Sequence, residues 1–191
     1  MPKDTYVPCL LDLFRQNGYD GATLSKISEA TGLGRASLYH HFPGGKDEMV
    51  GAVLDYLQRR LEQHILQGMD GEEEPLVKLQ RMCDRTALTY DNGNRACLLA
   101  TLLLGSARDV FQVRVQALLE AWRDAIAAVL IEAGLDPQTA QERAEDALIS
   151  IQGALVLSQG LKKPSPFQRV LQKLPQELCR NVRQCEQQAL P

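Results

Sequence analysis

The sequence contains few histidines and none of the short motifs that mark common enzyme active sites. Its three histidines stand at positions 40, 41 and 64, so no two have the four-residue spacing of zinc ligands on one helix face. No G-x-S-x-G, H-E-x-x-H or glycine-rich nucleotide loop occurs, and Gly45-Lys46 lacks the upstream glycine and the following hydroxyl residue of a P-loop. We therefore expect no enzyme activity, no metal ion and no cofactor.

Cysteines and long apolar runs are also scarce. The five cysteines show no C-x-x-C pair and no zinc-type spacing, so neither a disulfide framework nor a metal site is favoured. No stretch approaches the roughly 18 apolar residues that cross a membrane, and no signal-peptide pattern opens the sequence. We expect a reduced, cytoplasmic protein without a membrane partner.

What the sequence does contain is helical periodicity. Hydrophobic residues make up 45% of the 191 residues, enough to bury a core in one or two domains. No segment alternates as a strand would, so we predict an all-α protein. Because proline inside a helix is costly, the last part is predicted to split at Pro175, with a single kinked helix as the alternative. The predicted helices cover 5–17, 23–31, 35–42, 46–67, 75–91, 95–105, 107–133, 137–161, 165–173 and 175 onward, with a polar linker over 68–75.

The stretch from Ala22 to Phe42 has the layout of a helix-turn-helix, which places its second helix in the DNA major groove. Thr23 is a suitable N-cap for the first of its two helices. Gly32 follows that helix directly, at the position where a left-handed residue commonly ends a helix. We therefore predict a tight turn at Gly32-Leu33-Gly34 and a new helix from Arg35.

The pattern of the second helix predicts which side faces outward. Leu38 and Phe42 lie one turn apart and point to one side, toward a core. Small hydrogen-bonding residues occupy the opposite side, as a surface that contacts base edges requires, and residues at its borders could reach phosphates. The base-facing residues are Ala36, Ser37 and His40, and the bordering residues are Arg35 and Tyr39.

The segment G-Y-D-G-A-T-L-S-K-I-S-E-A-T-G-L-G-R-A-S-L-Y-H-H-F, Gly18 to Phe42, resembles the N-terminal domain of TetR-type transcriptional repressors. That family has a Gly-aromatic pair, a threonine opening the second helix and a closing Leu-Tyr-x-His-Phe. The P-G-G-K-D-E that follows is one residue longer than the usual family spacing and resembles the LmrA/YxaF-like branch. The resemblance implies a three-helix DNA-binding domain over 1–48 and a helical ligand-binding and dimerisation domain over 49–191, with a connecting helix over 46–67.

Charge gives the DNA-binding prediction little help. The net charge is only -3, and residues 1–50 hold five basic and six acidic side chains. Because net charge does not report its distribution, we expect basic residues on one face and several acids elsewhere. Lys46 at a helix start suits a phosphate contact, although a solvated surface lysine is the alternative. The predicted DNA-binding residues are Thr23, Ser25, Lys26, Gly34, Arg35, Ala36, Ser37, Tyr39, His40, His41 and Lys46.

One helix-turn-helix contacts only a few base pairs, so specific binding usually requires two copies on half-sites about 34–36 Å apart. Small residues in the helix 137–161 permit close approach of a second helix, and the resemblance also implies a four-helix dimer interface formed with the last helices. The alternative is that these residues only fill the core of their own protomer. The predicted dimer residues are Ala140, Ala144, Ala147, Leu148, Ile151 and Leu155.

The C-terminal helices could enclose a ligand pocket. Candidate lining residues place aromatic and a few polar groups on otherwise apolar helices, although ordinary core packing is the better interpretation of each one singly. These candidates are Met82, Thr86, Tyr90, Leu102, Phe111, Trp122 and Gln152.

The sequence therefore favours a homodimeric repressor that binds a palindromic double-stranded DNA operator and is released by an unknown small-molecule inducer. A helical thiol sensor is a second hypothesis, since Cys83, Cys97, Cys179 and Cys185 could report oxidation. Buried, inert cysteine is the commoner case.

Overall fold

The computed structural model describes residues 2–69 and 71–182, and this part of the chain is helical with no strand. The all-α prediction is confirmed. Cys185 and the predicted helix beyond residue 182 lie outside the described residues. The α-helices are α1 Val7–Gly21, α2 Leu24–Thr31, α3 Arg35–His41, α4 Gly45–Arg60, α5 Pro75–Thr89, α6 Leu98–Leu103, α7 Arg108–Glu132, α8 Pro137–Leu161 and α9 Ser165–Leu178.

Proline and capping residues set several of the helix starts. Pro8 lies in the first turn of α1, where its missing N–H leaves no intrahelical bond unmade, as expected. Pro75 and Pro137 begin α5 and α8 in the same way. Asp136 caps α8, because its carboxylate accepts a hydrogen bond from the Thr139 backbone N–H at 3.0 Å.

The predicted connecting helix over 46–67 is helical throughout but changes its type. The α-helical hydrogen bonding of α4 ends at Arg60, and a π-helical turn over Leu61–Ile65 and a 3-10 turn over Leu66–Gly68 follow. Two arginines of α5 bind carbonyls of these turns: Arg85 donates to the His64 oxygen at 2.6 Å, and Arg81 donates to the Gly68 oxygen at 3.1 Å.

The predicted split of the last helix at Pro175 is wrong. The helix α9 runs as one element over Ser165–Leu178 with Pro175 inside it, near its C-terminal end. The buried residues Leu171, Leu174 and Leu178 continue one apolar side of the helix past the proline. Packing of that side against α8 and α5 outweighs the loss of one backbone hydrogen bond.

The chain forms two compact units. The first contains the residues up to Arg60 together with Cys97–Gln116, and the second contains Leu61–Ala96 together with the residues from Ala117 onward. In the second unit, α8 and α5 both pack against α9. A domain boundary after residue 48 stays a prediction. Within the described ranges, no helix combines the length and the apolar character that crossing a bilayer requires. The first unit buries Leu10, Phe14, Ile27, Leu38, Phe42 and Leu54 almost completely.

The turn after α5 is fixed to the start of α9. Gly93 has a φ of +100°, and a Cβ added there would lie 3.0 Å from the Cβ of Phe167. The Gln159 side chain donates to the Gly93 oxygen at 2.8 Å, and the Phe167 ring meets the Tyr90 ring edge-on with centroids 6.0 Å apart. Both the backbone conformation and the space at this position therefore require glycine.

Gly93→Ala should destabilise the chain more than Gly134→Ala, which provides a matched control. Gly134 has a similar φ of +103°, but nothing lies within 4 Å of an added Cβ. Both variants bear backbone strain of about 1–3 kcal/mol, and Gly93→Ala adds an overpacking cost of about 1–3 kcal/mol. Chemical denaturation of both variants measures the difference, and equal losses would refute the role of the Phe167 contact.

Candidate DNA-binding surface

The turn between α2 and α3 is built by backbone capping and by two hydroxyl groups. The Thr23 hydroxyl oxygen accepts from the Lys26 backbone N–H at 3.4 Å, which confirms the predicted N-cap. Gly32 ends α2 with a φ of +70°, as predicted. Within the turn, the Ser28 hydroxyl donates to the Leu33 oxygen at 2.5 Å, and the Thr31 hydroxyl oxygen accepts from the Leu33 N–H at 3.3 Å.

The helix α3 is anchored by two buried side chains. Leu38 is 1% exposed and Phe42 is fully buried, as their spacing predicted. The residues Ala36, Ser37 and His40 on the opposite side are exposed. Because the apolar side of α3 is buried, its small polar side faces outward, and the side chains on that side are free to contact base edges.

Most of the residues predicted to bind DNA are accessible. His41 and Lys46 are only partly buried, and the others are exposed. The His41 ring contacts the Tyr6 ring, with centroids 5.2 Å apart, so it also packs against the start of α1. The exposed members of the set are Thr23, Ser25, Lys26, Gly34, Arg35, Ala36, Ser37, Tyr39 and His40.

The two lysines of this set already have acceptors in the first unit. The Lys46 ammonium donates to the Tyr19 backbone oxygen at 2.9 Å and lies 4.3 Å from the Tyr19 ring centroid. The Lys26 ammonium donates to the Asn17 side-chain oxygen at 2.5 Å. The Lys46 contacts join α4 to α1, and a phosphate contact by Lys46 stays a prediction. Arg35 differs, since none of the described residues forms an ion pair or a hydrogen bond with its guanidinium.

Several acids among the first 50 residues are held by contacts within the first unit. Each of these carboxylates is engaged with a residue outside α3. This explains how a segment with almost no net charge still presents an uncharged or basic surface at α3. The pairs are Asp12 with Arg15, Asp20 with Ser106, Asp47 with Tyr19, and Glu48 with Lys3. The hydrogen bond to Asp47 raises the pKa of the Tyr19 phenol to about 12.

Residues of the α6–α7 segment contact α1 and α4, and sequence patterns gave no sign of these contacts. The Ser106 backbone N–H donates to Asp20 at 3.0 Å, and its hydroxyl donates to the same carboxylate. Arg114 donates to the Gly51 oxygen at 3.1 Å and forms an ion pair with Asp55. Within the first unit, α1 and α4 are therefore joined to a segment far along the chain.

The residues predicted to line a ligand pocket fall in both units, and most have packing partners. Leu102 and Phe111 are buried in the first unit, where the Phe111 ring lies 6.1 Å from the Tyr19 ring. In the second unit the Trp122 indole N–H donates to the Met82 sulfur at 3.4 Å. Thr86 and Tyr90 are also buried there, and the Thr86 hydroxyl donates to the Met82 backbone oxygen at 2.8 Å.

Gln152 differs from the other candidates. Both polar atoms of its side chain are buried in the second unit, and neither is hydrogen-bonded to another described residue.

The residues predicted to form the dimer interface lie on the inner side of α8. Only Leu148 is partly exposed, and the others are buried within the protomer. Their position agrees with the alternative interpretation that they fill the core of their own protomer, because α9 packs against α8. The exposed side of the same helix carries Ile149, Val156, Leu157 and Leu161 instead. The buried residues are Ala140, Ala144, Ala147, Ile151 and Leu155.

Three of the cysteines, Cys83, Cys97 and Cys179, are poor candidates for oxidation because they are buried. Burial raises the pKa of the Cys83 thiol to about 12, so almost no reactive thiolate forms near neutral pH. Cys97 and Cys179 are also buried.

An all-α chain with a capped helix-turn-helix and an outward recognition helix has the architecture of a helix-turn-helix transcriptional regulator. The family model for bacterial regulatory proteins of the tetR family matches residues 11–53, and the model for the C-terminal domain of LmrA/YxaF-like transcriptional regulators matches residues 75–173. The chain belongs to the TetR family of transcriptional regulators, in its LmrA/YxaF-like branch, which confirms the resemblance seen in the sequence. It is a DNA-binding transcriptional regulator of that family.

Individual relatives of the chain are also transcriptional regulators. The uncharacterized regulator YxaF of Bacillus subtilis is 26% identical over 167 residues, which covers 85% of this chain and 87% of YxaF. IcaR of Staphylococcus aureus, a negative regulator of a biofilm operon, is 38% identical over 58 residues, 29% of this chain and 31% of IcaR. The structure of the TetR-family regulator CifR, solved with operator DNA, has the same fold, with a TM-score of 0.74 and 18% identity over 91% of this chain and 95% of CifR.

Asp20→Ala should lower the thermal stability of the chain near neutral pH. Hydrogen bonds from the Ser106 side chain and backbone hold the pKa of Asp20 below its usual value, so the ionised carboxylate stabilises the folded state. That contribution is present above the ordinary aspartate pKa of about 3.9 and is lost as the pH falls through the lowered pKa. Melting curves from pH 7 to pH 3 should therefore converge for the variant and the wild type. Glu29→Ala, at an exposed position of α2, is the control and should change little.

Proposed function

We propose that this chain is a homodimeric, sequence-specific repressor that a small molecule releases from its operator. The observation that carries the proposal is the orientation of α3, with Leu38 and Phe42 buried and Ala36, Ser37 and His40 exposed. Repression rather than activation is supported by the negative regulator IcaR, which is 38% identical to this chain over 58 residues.

In the proposed complex α3 lies in the major groove and α2 lies across the phosphate backbone. Ala36, Ser37 and His40 meet base edges, while Arg35 and Tyr39 contact phosphates at the border of the groove. The start of α2 adds backbone N–H groups to the phosphate contacts. The other proposed contacts come from Thr23, Ser25, Lys26, Gly34, His41 and Lys46.

A second copy is proposed to dock on the exposed apolar side of α8. Ile149 and Val156 lie two helical turns apart, and each is 68% exposed. Gly153 and Gly160 lie on the same side, and nothing comes within 4 Å of a Cβ added at either position, which permits a second helix to approach closely. An apolar stripe with glycines on a long helix is typical of a helix–helix interface.

Release from DNA requires a contact path from the ligand site to α3. The helix α7 contributes residues to both compact units, and its N-terminal part holds Arg114, which binds α4, close to Ser106, which binds α1. We propose that a ligand in the second unit shifts α7 and thereby the spacing of the two recognition helices. Ligand and operator then oppose each other, and thermodynamic linkage makes this effect reciprocal.

The test of the DNA-binding role is fluorescence anisotropy with palindromes taken from upstream of the protein's own gene, at about 150 mM salt. Wild type should prefer one palindrome over a scrambled duplex. Arg35→Ala should weaken binding to both and reduce the salt dependence by about one ion, whereas Ser37→Ala should weaken only specific binding, by roughly 1 kcal/mol or about fivefold. Tyr39→Ala should also weaken binding.

Arg169→Ala is the matched control, because Arg169 is an exposed arginine on α9, outside the proposed surface. It should bind like wild type. Absence of any sequence preference in the wild type would end the proposal of sequence-specific binding, and unchanged affinity of one α3 variant would remove that residue from the proposed surface.

The proposed dimer predicts that Ile149→Glu combined with Val156→Glu yields a folded monomer. Like charges facing each other across a twofold axis cost several kcal/mol, enough to weaken association more than a hundredfold. Leu88→Glu is the control, since Leu88 is 74% exposed on α5 and should not disturb association. Sedimentation velocity gives the mass of each variant. A dimeric double variant, or a monomeric wild type, would contradict this interface.

A further inference from the structure

Gln152 stands apart from the other glutamines of α8. Its side-chain Nε2 and Oε1 are both buried, and neither has a hydrogen-bond partner among the described residues. A buried amide without partners destabilises a protein unless another molecule meets its hydrogen-bonding groups. The other three glutamines of the helix all donate hydrogen bonds, Gln138 to Glu142, Gln141 to Asp124 and Gln159 to the Gly93 oxygen.

The side chain of Gln152 lies on the side of α8 that faces α7. Gln141 donates to Asp124 at 3.3 Å, and Glu145 accepts from Arg123 at 3.5 Å, so this side of α8 faces α7 within the second unit. Gln152 follows Glu145 by two helical turns, about 10 Å along the axis, and so lies on the same side. On this side of α8, Gln141 and Glu145 pair with residues of α7, whereas Gln152 has no partner among the described residues.

We propose that the Gln152 amide is the polar anchor of the effector site, and that the effector is a neutral molecule presenting a hydrogen-bond donor and an acceptor side by side, as a lactam or a primary amide does. This rests on the proposed function, because it assigns the ligand of the same regulator.

The chemistry of the side chain sets the class of ligand. An amide offers one donor group and one acceptor group, and a cis-lactam satisfies both at once in a cyclic pair of hydrogen bonds. Arg123 is paired with both Asp124 and Glu145, so the positive charge on this side is already neutralised. An anionic ligand group would lose its hydration without gaining a counter-charge there, which favours a neutral group over an anionic one.

The test uses 2-quinolinone, a lactam, and N-methyl-2-quinolinone, which has the same rings and carbonyl but no N–H. Isothermal titration calorimetry on the full-length protein without DNA should show at least tenfold tighter binding of 2-quinolinone, because the methylated compound leaves the amide oxygen unpaired. In Gln152→Leu the two compounds should bind equally. A clash of the methyl group alone would persist in that variant, so the loss of preference separates hydrogen bonding from sterics.

Melting of the unliganded proteins supplies a second measurement. Gln152→Leu should melt at or above the wild-type temperature, because it removes a buried amide that has no partner. Gln159→Leu is the matched control on the same helix: it loses the bond to the Gly93 oxygen and should melt lower, while keeping the preference for 2-quinolinone.

Three results would overturn the proposal: a wild type that does not distinguish the two compounds or binds neither, a Gln152→Leu variant that still distinguishes them, or one that melts below the wild type. None of these measurements involves DNA. A protein that prefers 2-quinolinone through Gln152 yet ignores every palindrome would retain this site and lose the repressor proposal, and the opposite pair of results would do the reverse.

Discussion

Burial of Leu38 and Phe42 fixes the orientation of α3, and the DNA-binding surface depends on that packing. The helix has seven residues and no side-chain cap at Gly34, so it has little stability of its own. Because both anchors are almost completely buried in the first unit, rotation of α3 would expose them to water. The small outward residues are therefore held toward solvent by what lies behind them and not by their own preferences.

Several buried polar groups in the described part of the second unit are hydrogen-bonded, which is why the exception at Gln152 carries weight. The turn after α5, the end of α8 and the start of α9 meet where Gln159 binds Gly93 and the Phe167 backbone N–H donates to the Ser158 hydroxyl at 3.1 Å. Such bonds let polar groups lie inside a helical core at little cost. An amide left without a partner in these surroundings is more informative than one in a loosely packed region.

Local signals in the sequence predicted the fold well. Thr23, Gly32 and Pro137 marked helix ends correctly because capping and the conformation of glycine and proline act within a few residues.

The prediction at Pro175 was wrong, since packing on both sides of the proline is a tertiary effect. The small residues of α8 gave no indication of which protomer they face. The bond between Asp20 and Ser106 joins residues 86 positions apart, and exposed polar side chains at such separation have no periodic pattern. Sequence alone predicted the buried and exposed sides of α3, but not the contacts that join α1 and α4 to the α6–α7 segment.

The first unit is discontinuous in the chain, since it is left after Arg60 and rejoined at Cys97. A fragment ending at Arg60 lacks Ser106 and Arg114, the partners of Asp20 and Asp55. Exchanging N-terminal segments between relatives at that point would pair each transplanted carboxylate with a foreign α6–α7 segment. Substitutions in α1 and α4 are consequently expected to evolve together with those near the start of α7, because each carboxylate depends on its own partner in that segment.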